Sequence, residues 1–179
     1  MRLHPLALAL ALGAALAGCE TMSEDQCRQA DWTERGRADG RNGDPESHID
    51  AHRKACAKAG VVPDDRRWRQ GWADGARSFC VPTSAWRAGL DNRSYRGACR
   101  DFDEALFLRW HRLGQDAYKT RSEREAKQRE ISKLEEQLKK AEKEDERKAL
   151  REKIRQLDSE QARLRRLLDM QMGAAPKYD

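Results

Sequence analysis

The sequence of residues 68–75 is Trp-Arg-Gln-Gly-Trp-Ala-Asp-Gly, and that of residues 32–40 is Trp-Thr-Glu-Arg-Gly-Arg-Ala-Asp-Gly. Each segment carries two glycines four residues apart, which are Gly36, Gly40, Gly71 and Gly75. On a helix, positions i and i+4 lie on the same face. A glycine inside a helix costs about 1 kcal/mol relative to alanine, so a repeated pair needs a structural reason. We predict that two helices pack here with closely approaching backbones, flanked by the Trp rings.

Weaker copies of this pattern extend the prediction along the chain. Trp86 is followed by Gly89, and Trp110 by Gly114. Charged residues make up 37% of the 179-residue sequence and the mean hydropathy is -1.01, which is too polar for one large core throughout. We therefore predict an all-α protein with a small helical domain over residues 27–114, followed by a charged extension.

The extension, residues 115–172, contains no Cys, Trp, Phe or Pro and is predicted to form a coiled-coil arm, with a flexible tail at 173–179. Its apolar positions follow heptad spacing in two halves. They are Ile131, Leu134, Leu138 and Ala141, then Leu150, Ile154, Leu157, Leu164 and Leu168, with Gln161 at the vacant seam position.

The two halves of the arm do not share a register. From Ala141 to Leu150 the helix turns by about 180°, at about 100° per residue, so one straight helix places the two apolar stripes on opposite faces. A chain reversal at 142–147 lets the stripes face each other, and we favour this antiparallel hairpin. The alternative is one continuous helix, about 100 Å long, that pairs with another chain.

The N-terminus indicates where the protein is located. Residues 1–18 have the features of a secretory signal peptide, with Arg2 before an apolar run that is too short to span a bilayer. The run ends in Leu-Ala-Gly-Cys at residues 16–19, which resembles the bacterial lipobox. The resemblance implies cleavage before Cys19 and acylation of this cysteine, with residues 19–26 as a lipidated tether. By analogy with lipoprotein sorting in Gram-negative bacteria, Glu20 in place of Asp favours the outer membrane, on the side facing the periplasm.

Four cysteines remain after Cys19, and an even number in an exported domain predicts two disulfides. They are Cys27, Cys56, Cys80 and Cys99. Three pairings are possible. We prefer Cys27–Cys56 with Cys80–Cys99, because each bond would brace a local hairpin of the chain.

A metal site is the first chemical candidate that the sequence offers. A helix over residues 47–59 places His48, His52 and Cys56 on one face, as in many zinc sites. Cys56 is better used in a disulfide, however, and no His-Glu-x-x-His motif is present. We therefore expect neither a metal nor a cofactor.

A carboxylate pair is the second chemical candidate. Asp39 and Asp74 each precede a glycine, and we expect them to cap helix ends or to pair with arginines. The competing hypothesis is a metal-binding or hydrolytic enzyme that uses both carboxylates with His48 and His52. It requires these four side chains to converge in one pocket.

Several of these features together resemble a family of bacterial lipoproteins known as domain of unknown function 2799. The matching stretches are the lipobox, His-Arg-Lys-Ala-Cys at 52–56, the Trp and two glycines of 68–75, Phe79-Cys80, and Tyr95-x-Gly97-x-Cys99. The resemblance covers roughly residues 19–114, and a charged helical tail follows in both. It implies export, lipidation and two disulfides. It supplies no catalytic residue, because the family has no established activity.

We accordingly expect a non-enzymatic lipoprotein of the cell envelope that acts as a structural or partner-binding component. The membrane would be contacted through the lipid, and a partner protein or a second copy through the arm. No nucleic acid is expected, because the charges of the arm alternate in sign although the chain carries a net charge of +5. A further alternative is that the basic side chains of the arm bind an anionic lipid or glycan.

Overall fold

The computed structural model describes residues 21–177, which form seven α-helices and no β-strand. The helices are α1 (Glu24–Arg28), α2 (Trp32–Asn42), α3 (Ile49–Cys56), α4 (Asp65–Phe79), α5 (Pro82–Leu90), α6 (Glu104–Lys140) and α7 (Glu144–Gly173). Short 3₁₀ turns, Glu46–His48 and Ala57–Ala59, flank α3. The expected all-α class is confirmed. The expected signal peptide, Cys19 and the last two residues of the tail lie outside the described residues.

Helices α2 and α4 pack with their backbones in direct contact, as the glycine spacing predicts. A Cβ atom on Gly36 would lie 1.9 Å from the carbonyl oxygen of Trp68, and one on Gly71 would lie 1.9 Å from that of Thr33. Gly40 and Gly75 extend the same contact one turn further along both helices. Each glycine is required because no side chain fits between the two backbones.

Helices α5 and α6 repeat this arrangement in the second half of the domain. A Cβ atom on Gly89 would lie 2.1 Å from the carbonyl oxygen of His111, and one on Gly114 would lie 2.2 Å from that of Trp86. The weaker copies of the glycine pattern therefore mark a second close crossing of helices.

Two disulfides brace the small domain in the pairing that we preferred. Cys27–Cys56 joins α1 to the end of α3, and Cys80–Cys99 joins the end of α4 to the loop before α6. Cys27, Cys56 and Cys99 are almost inaccessible to solvent, and Cys80 is partly buried. Both bonds are therefore part of the hydrophobic core.

The charged arm is an antiparallel hairpin of α6 and α7, so the alternative of one continuous helix is wrong. Leu157 on α7 packs against Ile131 and Leu134 on α6, which closes the two apolar stripes on each other. Arg147 donates to the carbonyl oxygens of Leu138 and Ala141, at 3.0 and 3.1 Å, and so satisfies the exposed end of α6. This contact stabilises a chain reversal that contains neither glycine nor proline.

The arm is continuous with the small domain rather than separate from it. Helix α6 passes through the expected boundary at residue 114 without a break. Near the end of α7, Leu168 packs against Trp86 and Ala117 of the small domain and the start of the arm.

No helix in residues 21–177 is both long and apolar enough to cross a membrane.

The described part of the expected tether, residues 21–26, belongs to the folded domain. Met22 is 3% exposed and packs in the same core cluster as Trp32 and Trp68. Ser23 caps α1 by accepting from the backbone N–H of Gln26, whose side chain bonds back to Ser23. This segment is ordered because an apolar side chain anchors it and its helix is capped.

Candidate functional site

Asp39 lies at the centre of a buried polar cluster in the small domain. It projects from α2, is 6% exposed, and accepts two hydrogen bonds at Oδ2. The donors are Nε2 of His52, at 2.7 Å, and Nε1 of Trp68, at 2.8 Å. The expectation that the Asp39 side chain caps a helix end or pairs with arginine is therefore wrong. The physical reason is tertiary, since α3 and α4 bring an imidazole and an indole nitrogen to it.

His52 is 1% exposed, and both of its ring nitrogens have partners. Nε2 faces Asp39, and Nδ1 lies 2.9 Å from the hydroxyl oxygen of Thr21. A neutral ring satisfies both contacts when Nε2–H donates to the carboxylate and the Thr21 hydroxyl donates to Nδ1. The ring thus connects the N-terminal segment to α2.

His48 and Asp44 extend this cluster towards the surface. The His48 ring packs edge-on against the His52 ring, with 4.9 Å between centroids. Asp44 is buried, pairs with Arg96 at 2.6 Å, and has its Oδ1 3.9 Å from Nδ1 of His48. Its backbone oxygen accepts from Nε1 of Trp72. The His48 side chain is 23% exposed, so the cluster reaches solvent on this side.

The chain turns that build the cluster are visible in the backbone. Gly43 caps the end of α2 with a left-handed φ of 77°, a conformation that favours glycine. Its lack of a side chain also leaves room for the Phe79 ring. The turn directs residues 44–48 back over the helix, which places His48 beside Asp39. The Cys27–Cys56 disulfide then holds the end of α3 against α1, close to the segment that carries Thr21.

Of the four residues in the enzyme hypothesis, the structure brings three together and leaves one apart. One potential ligand atom from each of Asp39, His48 and His52 lies within 4.8 Å of the others. Asp74 is exposed on α4 and pairs with Arg77 at 3.3 Å, in agreement with the expected arginine pairing. Cys56, the third member of the expected histidine face, is held in its disulfide. The third member of the group is instead Asp39, which the metal-binding alternative had placed with the two histidines.

A second hydrogen-bonded group, which is partly buried, lies beside the Cys80–Cys99 disulfide. The Tyr95 hydroxyl donates to Oε1 of Glu104 at 2.6 Å and accepts from the backbone N–H of Cys99 at 2.8 Å. Burial, reinforced by the bond to Glu104, raises the pKa of Tyr95 to about 12. This group fixes the start of α6 to the preceding loop.

The arm carries a polar cleft of about 800 Å³ where Gln161 interrupts the apolar seam. Gln161 donates to the carbonyl oxygen of Arg124 and to Oε1 of Gln128. Three arginines and three carboxylates line the cleft: Arg124, Arg165, Arg166, Glu125, Asp158 and Asp169. Because these charges balance, the cleft does not favour an anionic ligand.

Ion pairs across the hairpin follow the same alternating pattern. Lys127 of α6 bonds to Glu160 of α7 at 2.9 Å. The side-chain hydrogen bond to Glu160 raises the pKa of Lys127, and the same bond lowers the pKa of Glu160. The outer surface of the arm is thus a mixed-charge surface.

Comparison with known proteins gives one family match. Residues 31–116 match a family described as a protein of unknown function, DUF2799. This range contains Asp39, His48, His52 and Trp68, but neither Thr21 nor most of the arm. No curated protein and no solved structure matches the chain.

Proposed function

This chain belongs to the DUF2799 family, and we propose that it is a non-enzymatic lipoprotein, anchored through Cys19 in the outer membrane and facing the periplasm. Its role is structural support or partner binding in the cell envelope. The observation that carries the proposal is the fixed position of Thr21 and Met22 on the folded domain, immediately after the lipobox cysteine.

The fixed N-terminal segment determines how an anchored domain would be held. Thr21 is two residues from Cys19, and an extended chain spans at most about 3.6 Å per residue, or about 7 Å in total. Because Met22 is buried, no free linker follows the anchor in residues 21–28. An acyl chain on Cys19 would therefore hold the small domain directly at the bilayer surface.

The four remaining cysteines support the proposed compartment. Both pairs form disulfides, and such bonds persist in the periplasm but are uncommon in a reducing cytosol. The sorting rule that favours the outer membrane depends on Glu20, which lies outside the described residues.

The packing of the arm indicates which of its surfaces is available to a partner. Its apolar seam is closed within the hairpin by Ile131, Leu134 and Leu157, so it does not need a second copy. The outer surface is charged and carries cross-helix pairs such as Lys127–Glu160. A partner would therefore bind the mixed-charge outer surface of α6 and α7.

The placement of His52 argues against its use as a general base. His52 is almost completely buried, and both of its ring nitrogens are bonded within the fold. A general base must come within hydrogen-bond reach of its substrate. His52 is held away from any substrate that approaches from solvent.

Anchoring is tested by labelling cells with palmitate and fractionating their membranes. The expected result is that the wild-type protein is labelled and cofractionates with the outer membrane, whereas Cys19→Ala is unlabelled and released from it. The matched control is the double variant Cys80→Ser and Cys99→Ser, which loses a disulfide and keeps the lipid. Equal labelling of Cys19→Ala would refute the anchor.

Partner binding is tested by photocrosslinking in cells from single positions. Lys133 on α6 and Arg163 on α7 are exposed on the arm, and Val62 is an exposed control on the small domain. We expect a discrete adduct from the arm positions and none from Val62, with the captured protein identified by mass spectrometry. If neither arm position gives an adduct, the arm is not the binding surface.

A further inference from the structure

We propose that Asp39, His48 and His52 form a binding site for a divalent transition metal, for which Zn²⁺ is the best match. The inference rests on the convergence of these three side chains at the edge of the buried polar cluster. Asp39 lies on α2, His48 in the 3₁₀ turn before α3, and His52 on α3. It is independent of the proposed envelope role.

The spatial arrangement suits a small tetrahedral site. The three potential ligand atoms already lie within 4.8 Å of one another. With metal–ligand bonds of about 2.1 Å, tetrahedral ligands are separated by about 3.4 Å. Binding therefore requires the His52–Asp39 contact to widen from 2.7 Å and the partly exposed His48 ring to move inwards. Both changes are side-chain movements.

Groups that orient the ligands are also in place. Ligating histidines donate their second ring N–H to a nearby acceptor, and this outer contact fixes the ring. With the metal on Nε2 of His52, Nδ1–H donates to the hydroxyl oxygen of Thr21, which lies 2.9 Å away. Nε1 of Trp68 donates to the Asp39 carboxylate at 2.8 Å. Two of the three ligands are thus oriented by hydrogen bonds to neighbouring side chains.

The donor set identifies the class of metal. Two imidazole nitrogens and one carboxylate oxygen favour zinc and its transition-metal neighbours, whereas Ca²⁺ and Mg²⁺ prefer oxygen ligands throughout. Three protein ligands leave the fourth tetrahedral position for water. That position opens on the side of His48, whose side chain is partly exposed, whereas Asp39 and His52 are buried. Cys56, the ligand that the sequence pattern offers, is excluded by its disulfide.

The test uses the detergent-solubilised full-length protein, purified without a histidine tag, with its disulfides intact and its metals removed by a chelator. Zn²⁺ binding is measured by calorimetry, and Co²⁺ serves as a spectroscopic probe. We expect one equivalent of each metal and the intense visible absorption of tetrahedral Co²⁺. Thr21→Val, which removes an orienting contact and no ligand, should weaken binding by about 10–100-fold.

His48→Asn is the decisive variant, because its partly exposed side chain can be replaced with little effect on the fold, which circular dichroism verifies. It should lose the tetrahedral Co²⁺ spectrum, whereas the control Asp74→Asn, which removes an exposed carboxylate of the same domain, should bind as the wild type does. Absence of binding to the wild type would overturn the proposal. So would unchanged binding by His48→Asn, or an equal loss in Asp74→Asn.

Discussion

Replacing Gly36 by alanine tests the close packing of α2 on α4, on which the small domain depends. The new Cβ would lie 1.9 Å from the carbonyl oxygen of Trp68, 2.8 Å from its carbonyl carbon and 2.9 Å from the backbone nitrogen of Trp72. All three atoms belong to the backbone of α4, so no side-chain rotation relieves the clash. The two helices must separate by about 1.5 Å to restore an ordinary contact of 3.4 Å.

The expected cost follows from this separation. Alanine gains about 1 kcal/mol of helix propensity over glycine. Against this gain, overpacking costs about 1–3 kcal/mol, and a gap of 0.5–1 Å already forfeits about a quarter to a half of the dispersion energy across the interface. Trp68 is fully buried in this interface and loses part of its packing. Because only backbone atoms can move, we take the upper end of the overpacking cost, about 3 kcal/mol, and subtract the gain in helix propensity. We therefore expect Gly36→Ala to lower the free energy of unfolding by about 2 kcal/mol.

The assay is urea denaturation under non-reducing conditions, followed by Trp fluorescence, since all five Trp lie in the small domain and at the start of α6. The matched control is Gly173→Ala, at the end of α7, where an added Cβ meets no atom within 4 Å. This control should be neutral or stabilising by up to about 1 kcal/mol. A Gly36→Ala variant as stable as the wild type would refute the steric reasoning.

Three further predictions concern the arm, the disulfides and pH. Leu157→Ala should destabilise the hairpin by about 2–4 kcal/mol, because it removes a buried contact with Ile131 and Leu134, and hydrogen exchange of the arm measures this loss. Replacing Cys80 and Cys99 together by serine should cost about 3 kcal/mol in chemical denaturation, as estimated for a separation of 19 residues. Tyr95 should ionise near pH 12, which phenolate absorbance measures. Its contribution to stability should be complete below about pH 10 and should be lost as pH rises through about 12.

The predictions for the arm and for Tyr95 each have a control within the chain. Leu167→Ala removes a leucine that is 40% exposed and should change stability by less than about 0.5 kcal/mol. Tyr95→Phe should abolish the late step in the phenolate titration. A late step that persists in this variant would assign it to another tyrosine. Hydrogen exchange of the arm that is unchanged by Leu157→Ala would show that the seam does not hold the hairpin together.

The close helix crossings and the hairpin could be predicted because each depends on spacing along one helix. Gly36 and Gly71 are marked by a repeated four-residue interval, and an α-helix converts that interval into a shared face. The hairpin follows from the rotation between Ala141 and Leu150, which is fixed by helix geometry. In both cases local geometry places the side chains before any tertiary contact forms.

The polar cluster could not be predicted in the same way. Asp39 contacts His52 across 13 residues and Trp68 across 29, and Thr21 contacts His52 across 31. No periodicity connects these positions, because they lie on different helices whose relative placement depends on packing. The histidine spacing correctly suggested that His48 and His52 share a face, but it offered Cys56 as the third member, and the structure provides Asp39 instead.

The sequence by itself determined the helical class, the glycine faces, the heptad register and the presence of four cysteines for two disulfides. These properties follow from covalent geometry and from residue types at fixed intervals. Only the tertiary structure decided that Met22 is buried, that Asp39 accepts from His52 and Trp68, and that Asp74 remains at the surface. These outcomes depend on which helix packs against which, and that choice is made by the burial of the whole core rather than by any single segment.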